Sequence, residues 1–518
     1  MTQNVLCDII YISIFGRGFV LSMKTCLRMI SIILALVTSL SSLASCNTEG
    51  EQDSAVTSAV TEETVTEKIE VTTTVEDLLG IPENDYNCDF NLWIMKDTNV
   101  PNYHWVEESE NDVLSQAIFA RQQNVYDYLG VNVIGTSVSN YQEYSIPFKT
   151  AVKNKDGSVD TMLCHVFHGV PSLVSENYLF DVSDLPGVNI GADYWNQQFM
   201  DDLVINDHYY LGFSDFNILY THVISFNKTM MEQYANSLEK SVYDMVRDKE
   251  WTVDQMISLA NLVYIDQTAN GKSEDDTFGI TGLQYNEFTG FLHASGIKIM
   301  EQDESGQYKV VLMSEKYKDK TSALVDKIRG LVESDCSYFD YGKTTGPTVS
   351  FTSGRTLMHL SRTEHLANYL GHEELSFGVL PYPLWDCEQD SYHHLQWGGY
   401  ITVPSYLKDV QMASETLEML SYYSADVKVA YYEKMLGKQV ADAVDDSQML
   451  SIVWDTVCTE FAQTYSQTLG GSGLVYMMAS VTEAYTSANL ASTVASLERS
   501  ANSSISKFWK KLDAYKGS

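Results

Sequence analysis

Basic residues are scarce in this chain: 33 Lys and Arg stand against 69 Asp and Glu, a formal charge of −36 over 518 residues. A surface of that sign repels phosphate backbones and anionic headgroups, which argues against nucleic acid and acidic lipid as partners. Disulfide pairs are hard to assemble as well. Of eight cysteines, Cys7 and Cys26 fall in or before an apolar leader, and Cys46 closes it. The remaining Cys88, Cys164, Cys336, Cys387 and Cys458 are odd in number, widely spaced and contain no CxxC pair, so they read mostly as small buried residues. Catalytic signatures are missing. His372-Glu373-Glu374 lacks the second histidine of a zinc protease helix, and Gly470-Gly471-Ser472-Gly473 fails the spacing of a nucleophile elbow. No phosphate-binding loop, dinucleotide fingerprint or internal repeat is present. None of these motifs is complete, and neither a cofactor nor a metal is expected.

One apolar run stands apart. From Met23 the chain reads MKTCLRMISIILALVTSLSSLASC, with Lys24 and Arg28 before the stretch Met29–Leu43. That stretch has signal-peptide length and falls short of the ~20 residues that span a bilayer. It ends Leu43-Ala44-Ser45-Cys46, which resembles a bacterial lipobox, so residues 1–45 read as a signal peptide with its true start at Met23. Cys46 is the expected lipidation site, where two acyl chains supply stable anchoring. Residues 46–86 are rich in Thr, Val, Glu and Ser and read as a solvated linker; an ordered extension is admissible only over Val75–Ile81.

The rest alternates short apolar runs with helical patterns. Strands are expected at Cys88–Met95, Val131–Ile134 and Val159–Phe167, and helices at Asn111–Gly130 and Tyr141–Lys153. That alternation predicts an α/β fold with doubly wound parallel sheets, whose ligands sit beyond the carboxyl ends of the strands. His168, just past the third strand, is thereby a candidate contact, although a lone histidine also reads as structural. Further on, a helix is expected over Asp244–Leu262 with Trp251-Thr252-Val253-Asp254 as its start, and another over Thr321–Val332. Ser334–Thr348 reads as polar loop. Asp266–Asp276 (DQTANGKSEDD) has the front of a calcium loop, but its twelfth position is Thr277 and turn chemistry explains Asn270-Gly271. The segment Phe351–Pro404 then gives strands at Thr356–Leu360 and Phe377–Leu380, a helix-like piece at Arg362–Tyr369, and a strand Tyr400–Val403 after Gly398-Gly399. Helices follow at Met412–Tyr423, Val427–Leu436, Gln448–Gln463 and Leu474–Lys511.

Several short words carry a resemblance. FDVSDLP (Phe180–Pro186), Tyr194-Trp195-Asn196, Ser214-Asp215, Phe226-Asn227-Lys228, Trp251-Thr252-Val253-Asp254 and the strand–helix–strand order of Phe351–Pro404 occur in sequence. Together they resemble family 1 extracellular solute-binding proteins, the sugar-binding subunits of bacterial ABC importers. Tyr431-Tyr432-Glu433 and Asp442–Gln448 are similar to the clostridial branch. The resemblance covers most of the chain after the leader; Tyr194 departs from it where the family carries Trp. It implies a periplasmic-binding-protein-like fold of type II, two doubly wound α/β lobes joined by a multi-strand hinge. On that pattern one lobe is residues 87–216 plus 356–398 and the other 217–355 plus 399–518, with crossings near Asp215–Ile218, Arg355 and Trp397–Gly399.

The resemblance further implies a binding protein and not an enzyme, a monomer that captures a small solute, a mono- or oligosaccharide, between its lobes. It would deliver this to the permease subunits of an importer, from the outer face of the membrane of a Gram-positive type bacterium. Trp397 is expected as a stacking platform, Asp215 and Arg362 as partners for hydroxyls, and His168 and Tyr285 as further contacts. Trp195 is a weaker candidate for which core packing is the competing role, and Arg362 could instead be an ion-pair partner. Phe288 and Phe291 share the segment of Tyr285, where core packing competes with ligand contact. The alternatives are a surface glycan-binding lipoprotein without transport and a secreted glycoside hydrolase.

Overall fold

Fourteen strands among the described residues set the frame. The computed structural model describes residues 74–96, 103–140, 143–165, 168–269, 271–341, 344–439, 442–483, 486 and 488–516. The leader, Cys46 and most of the linker lie outside them. The strands are β1 Cys88–Lys96, β2 Val131–Asn140, β3 Thr161–Cys164, β4 His222–Asn227, β5 Tyr264–Ile265, β6 Thr277–Leu283, β7 Met300–Gln302, β8 Tyr308–Val310, β9 Ser337–Asp340, β10 Thr356–Arg362, β11 Phe377–Pro381, β12 His394–Leu395, β13 Tyr400–Thr402 and β14 Val457–Cys458. Strands buried on both faces need continuous apolar runs. In accord with that, β3 and β4 are buried throughout, and β6 and β10 at all but their last residue.

Beside the two-stranded pairs β12-β14 and β7-β8, two larger sheets form, each the core of one lobe. The first has the order β13-β3-β1-β2, with β1, β2 and β3 parallel and β13 antiparallel to β3. The second runs β11-β4-β10-β6, with β9 and β5 both on β6; β9, β6 and β10 are parallel, and β4 is antiparallel to β10. Both sheets follow one plan. Three parallel strands in the order second-first-third are followed by an antiparallel strand that has just arrived from the other lobe. This is the two-lobed, doubly wound α/β fold of periplasmic binding proteins.

Strand pairing places some segments differently from the sequence reading. Residues 356–398 were expected with the first lobe, yet β10 and β11 both pair with β4 in the second sheet, while β13 at Tyr400–Thr402 joins β3 in the first. Arg355 accordingly lies within the second lobe, its carbonyl accepting from Phe278 N–H. An apolar strand can sit in either sheet, and only its hydrogen-bonding partners decide which. The segment Asp244–Leu262 is two helices, Val242–Arg247 and Val253–Ala260. The break includes Lys249 at φ +59°, and Thr252 caps the second helix by accepting from Gln255 N–H. Ser334–Thr348 contains β9, whose pairing with β6 gives these polar residues a ladder. At the edge of the linker, Val75–Leu79 is a helix with a Thr74–Asp77 capping box, and Ile81 is buried.

The five cysteines of the described residues are all unpaired; Cys164 and Cys336 are buried as expected, whereas Cys88 and Cys387 are exposed. In the Asp266–Asp276 loop the carboxylates serve the backbone. Asp266 accepts from Thr268 and Gly271 N–H, and Asp276 from Gln267 and Ser273 N–H. No helix among the described residues is long and apolar enough to cross a membrane.

Candidate functional site

The lobes are joined where two chain segments run side by side. Residues 212–222 leave the first lobe and 395–401 return to it, bridged at Gly212–Ile401 and Thr221–Gln396. Trp397 N–H donates to the Tyr220 carbonyl at 2.6 Å, and Asn217 Nδ2 to the Gly399 carbonyl at 2.9 Å. The Gln396 side chain is fully buried yet satisfied, accepting from Tyr220 N–H and donating to the Ile218 carbonyl. The glycine pair serves close approach. A Cβ on Gly398 would lie 2.6 Å from Tyr220 Cδ2, and one on Gly399 would lie 2.4 Å from the Cys164 carbonyl oxygen.

Trp397 emerges from this joint at the carboxyl ends of β6 and β10, the position at which doubly wound sheets bind ligands. It is partly buried, 6.0 Å between ring centroids from Tyr476, which in turn stacks on Tyr285 at 4.3 Å and 14°. Tyr341, one residue past β9, sits 5.6 Å from Tyr285. The guanidinium of Arg362, the last residue of β10, lies 5.9 Å over the Trp397 ring. Beneath this surface, Glu287 and His222 are almost wholly buried. Arg362 Nε is 3.4 Å from Glu287 Oε1, and Arg362 Nη1 is 3.0 Å from Glu364. Burial pushes the Glu287 carboxyl up to about 7, with Arg362 opposing and Glu364 adding to the rise. His222 is held well below its usual range by burial and by Arg362, so it is neutral. Four aromatic rings and one guanidinium make a surface able to cover the C–H face of a ring and to donate hydrogen bonds to its oxygens.

The other sequence candidates fall elsewhere. Asp215 accepts from Trp454 Nε1 at 3.1 Å and lies 3.9 Å from Lys428. It shares with Tyr194, Trp195, Lys428 and Trp454 a cavity of about 380 Å³ apart from the Trp397 cluster. Burial raises its pKa, with Lys428 opposing. Trp195 is buried and donates to Glu418 at 2.8 Å, a packing role. His168, past the carboxyl end of β3 on the first lobe, has Nδ1 2.7 Å from Gln467 Nε2, and burial lowers its pKa. Phe288 and Phe291 are core. The structure thus brings Trp397, Arg362 and Tyr285 together, and adds Tyr476, Tyr341, His222 and Glu287, which the sequence did not single out. Gly290 makes room for His222, since a Cβ there would come within 2.9 Å of the imidazole.

No family model matches the sequence, and no curated protein matches it. Solved structures do match. The cyclic α-maltosyl-1,6-maltose binding protein of Arthrobacter globiformis gives a TM-score of 0.52 at 11% identity, over 80% of this chain and 98% of that one. A cyclo/maltodextrin-binding protein complexed with maltotetraose gives 0.52 at 12% identity, over 81% and 96%. The GacH receptor of Streptomyces glaucescens gives 0.49 at 16% identity, over 82% and 98%. For the two structures with a TM-score of 0.52 the likeness is one of fold, and it agrees with the two-sheet plan derived above.

Proposed function

We propose that this protein is an extracellular solute-binding protein that captures a small hydroxylated solute, a mono- or oligosaccharide, and delivers it to the permease subunits of an ABC importer. The observation that carries this reading is the Trp397–Tyr476–Tyr285–Tyr341 surface with Arg362, placed where both hinge segments meet. A ligand held there against the facing lobe would bind the closed form better than the open one and shift the population toward it. The sugars named for the similar structures from Arthrobacter globiformis and of the cyclo/maltodextrin-binding protein make α-glucans the first class to try. Membership of family 1 in its clostridial branch, lipidation at Cys46, a monomeric state and a place on the outer face of the membrane belong to the same reading. They rest on the sequence words and the lipobox.

A thermal-shift panel of mono- and oligosaccharides, with amino acids and polyamines as controls, tests it. One saccharide class is expected to raise the melting temperature saturably, without being consumed. No shift with any solute, or slow loss of the glycan, would turn the reading toward polymer binding or hydrolysis.

A further inference from the structure

Four side chains from four separate segments close a ring under the candidate site. Trp397, on the hinge segment after β12, donates its indole N–H to His222 Nδ1 at 3.4 Å, the rings standing at 87°. His222 opens β4, and its Nε2 lies 3.2 Å from the Asn286 carbonyl. A carbonyl only accepts, so the imidazole proton sits on Nε2 and Nδ1 is left to accept from the indole. The same Nε2 is 3.7 Å from Glu287 Oε2, and Glu287 Oε1 is 3.4 Å from Arg362 Nε. Arg362 closes the ring by lying over the Trp397 face. Two atoms inside it, Glu287 Oε2 and Arg362 Nε, are buried without a hydrogen-bond partner. Such a network is costly to bury, and its arrangement depends on the charge of its carboxylate.

We propose that Glu287 and His222 are positioning residues: they hold Arg362 and Trp397 as one unit, and protonation of Glu287 frees Arg362 from the indole and weakens ligand binding. The geometry stands by itself; the consequence for affinity rests on the solute-binding reading. Groups facing Glu287 are His222 on β4, Arg362 at the end of β10, Glu364 just after it, and Tyr369 and Tyr382, whose hydroxyl donates to the Glu287 carbonyl. His293 and His394 also lie close enough to act on His222, and burial lowers the pKa of both. Glu287 is therefore the member of the ring that titrates near neutrality, at about 7. Above that pH its carboxylate anchors Arg362. Below it, Arg362 keeps only Glu364 as a carboxylate partner.

The test labels the full protein with 5-fluorotryptophan and follows the Trp397 fluorine resonance, assigned by its loss in Trp397→Phe, from pH 5.5 to 8.5 without ligand. A shift with its midpoint near 7 is expected in the wild type, and none in Glu287→Gln. A Trp397 resonance that does not move with pH, or that moves equally in Glu287→Gln, overturns the proposal whether or not the variant is destabilised. Calorimetry with maltotetraose at pH 6 and 8 forms the second arm, with severalfold weaker binding expected at pH 6 in the wild type only. Equal wild-type affinity at both pH values would also overturn it. Absence of maltotetraose binding at both pH values, with the resonance still titrating, counts against the ligand class proposed above and leaves the positioning role supported.

Discussion

Trp397 and Asp215 show how differently two residue-scale expectations fared. Both flank the hinge, and both were candidates for the same ligand. Trp397 ends among tyrosines and an arginine, whereas Asp215 is engaged by Trp454 and Lys428 in another cavity. Trp397→Ala is expected to lower saccharide affinity more than tenfold, at a stability cost of about 1–2 kcal/mol because the buried His222 Nδ1 loses its donor. Asp215→Ala is expected to leave affinity unchanged. It leaves the Trp454 indole N–H without its acceptor, a cost of about 1–2 kcal/mol, read as a lower denaturant midpoint with unchanged affinity. A loss of affinity in Asp215→Ala would mean that its cavity belongs to the ligand site.

The residues missed by sequence reasoning share a physical reason. Tyr476 reaches Trp397 and Tyr285 from a distant part of the chain and sits in the apolar run 474–479, where an aromatic reads as core. Glu287 is one acidic residue among 69, and nothing in its local pattern signals burial. His222 opens a fully buried strand, where a histidine reads as core. Contacts made by chain return are invisible to spacing arguments, which see only neighbours in sequence.

At the scale of elements, apolar runs disclosed the strands and Gly398-Gly399 disclosed the hinge. The role of the glycines is close approach of two backbones more than bending. Gly399→Ala drives a Cβ to within 2.4 Å of the Cys164 carbonyl oxygen, which belongs to the backbone and cannot swing aside. Overpacking of this kind costs about 3 kcal/mol; urea unfolding measures it, and a loss below about 0.5 kcal/mol would show that the hinge segments separate freely. Thr252→Ala removes the cap that accepts from Gln255 N–H and should cost about 1 kcal/mol. Lobe membership was not legible for β10 and β11, because their Val, Leu and Met side chains suit either sheet. Only the register with β4 assigns them.

Across the whole molecule, buried titratable groups set the response to pH. Burial holds His104, His165, His293, His359 and His394 down at about 3, and His222 well below its usual range. A depressed histidine contributes stability that is complete above its unfolded pKa of about 6.5 and is lost as pH falls through the folded value. Glu287 and Glu460, both raised by burial to about 7, act oppositely. Their contribution is present below the unfolded value near 4.5 and is lost as pH rises through 7. His168, His365 and His393 are lowered by burial as well, and Asp160, Asp202, Asp215 and Glu418 are raised by it. Among the described residues the lowered histidines outnumber the raised carboxyls, so thermal unfolding should show lower stability at pH 5 than at pH 7. Equal or greater stability at pH 5 would mean that these histidines are hydrated in the folded state.

The two-sheet plan and the surface around Trp397 lead to one claim, that the protein holds a saccharide between its lobes. Isothermal calorimetry of the wild type and Trp397→Ala against linear and cyclic α-glucans and other oligosaccharides, with the sugar recovered and analysed afterwards, tests it most directly. The account predicts saturable one-to-one binding of one saccharide class, affinity more than tenfold weaker in Trp397→Ala, and sugar recovered intact. No heat with any saccharide, equal affinity in the variant, or a cleaved product would contradict it.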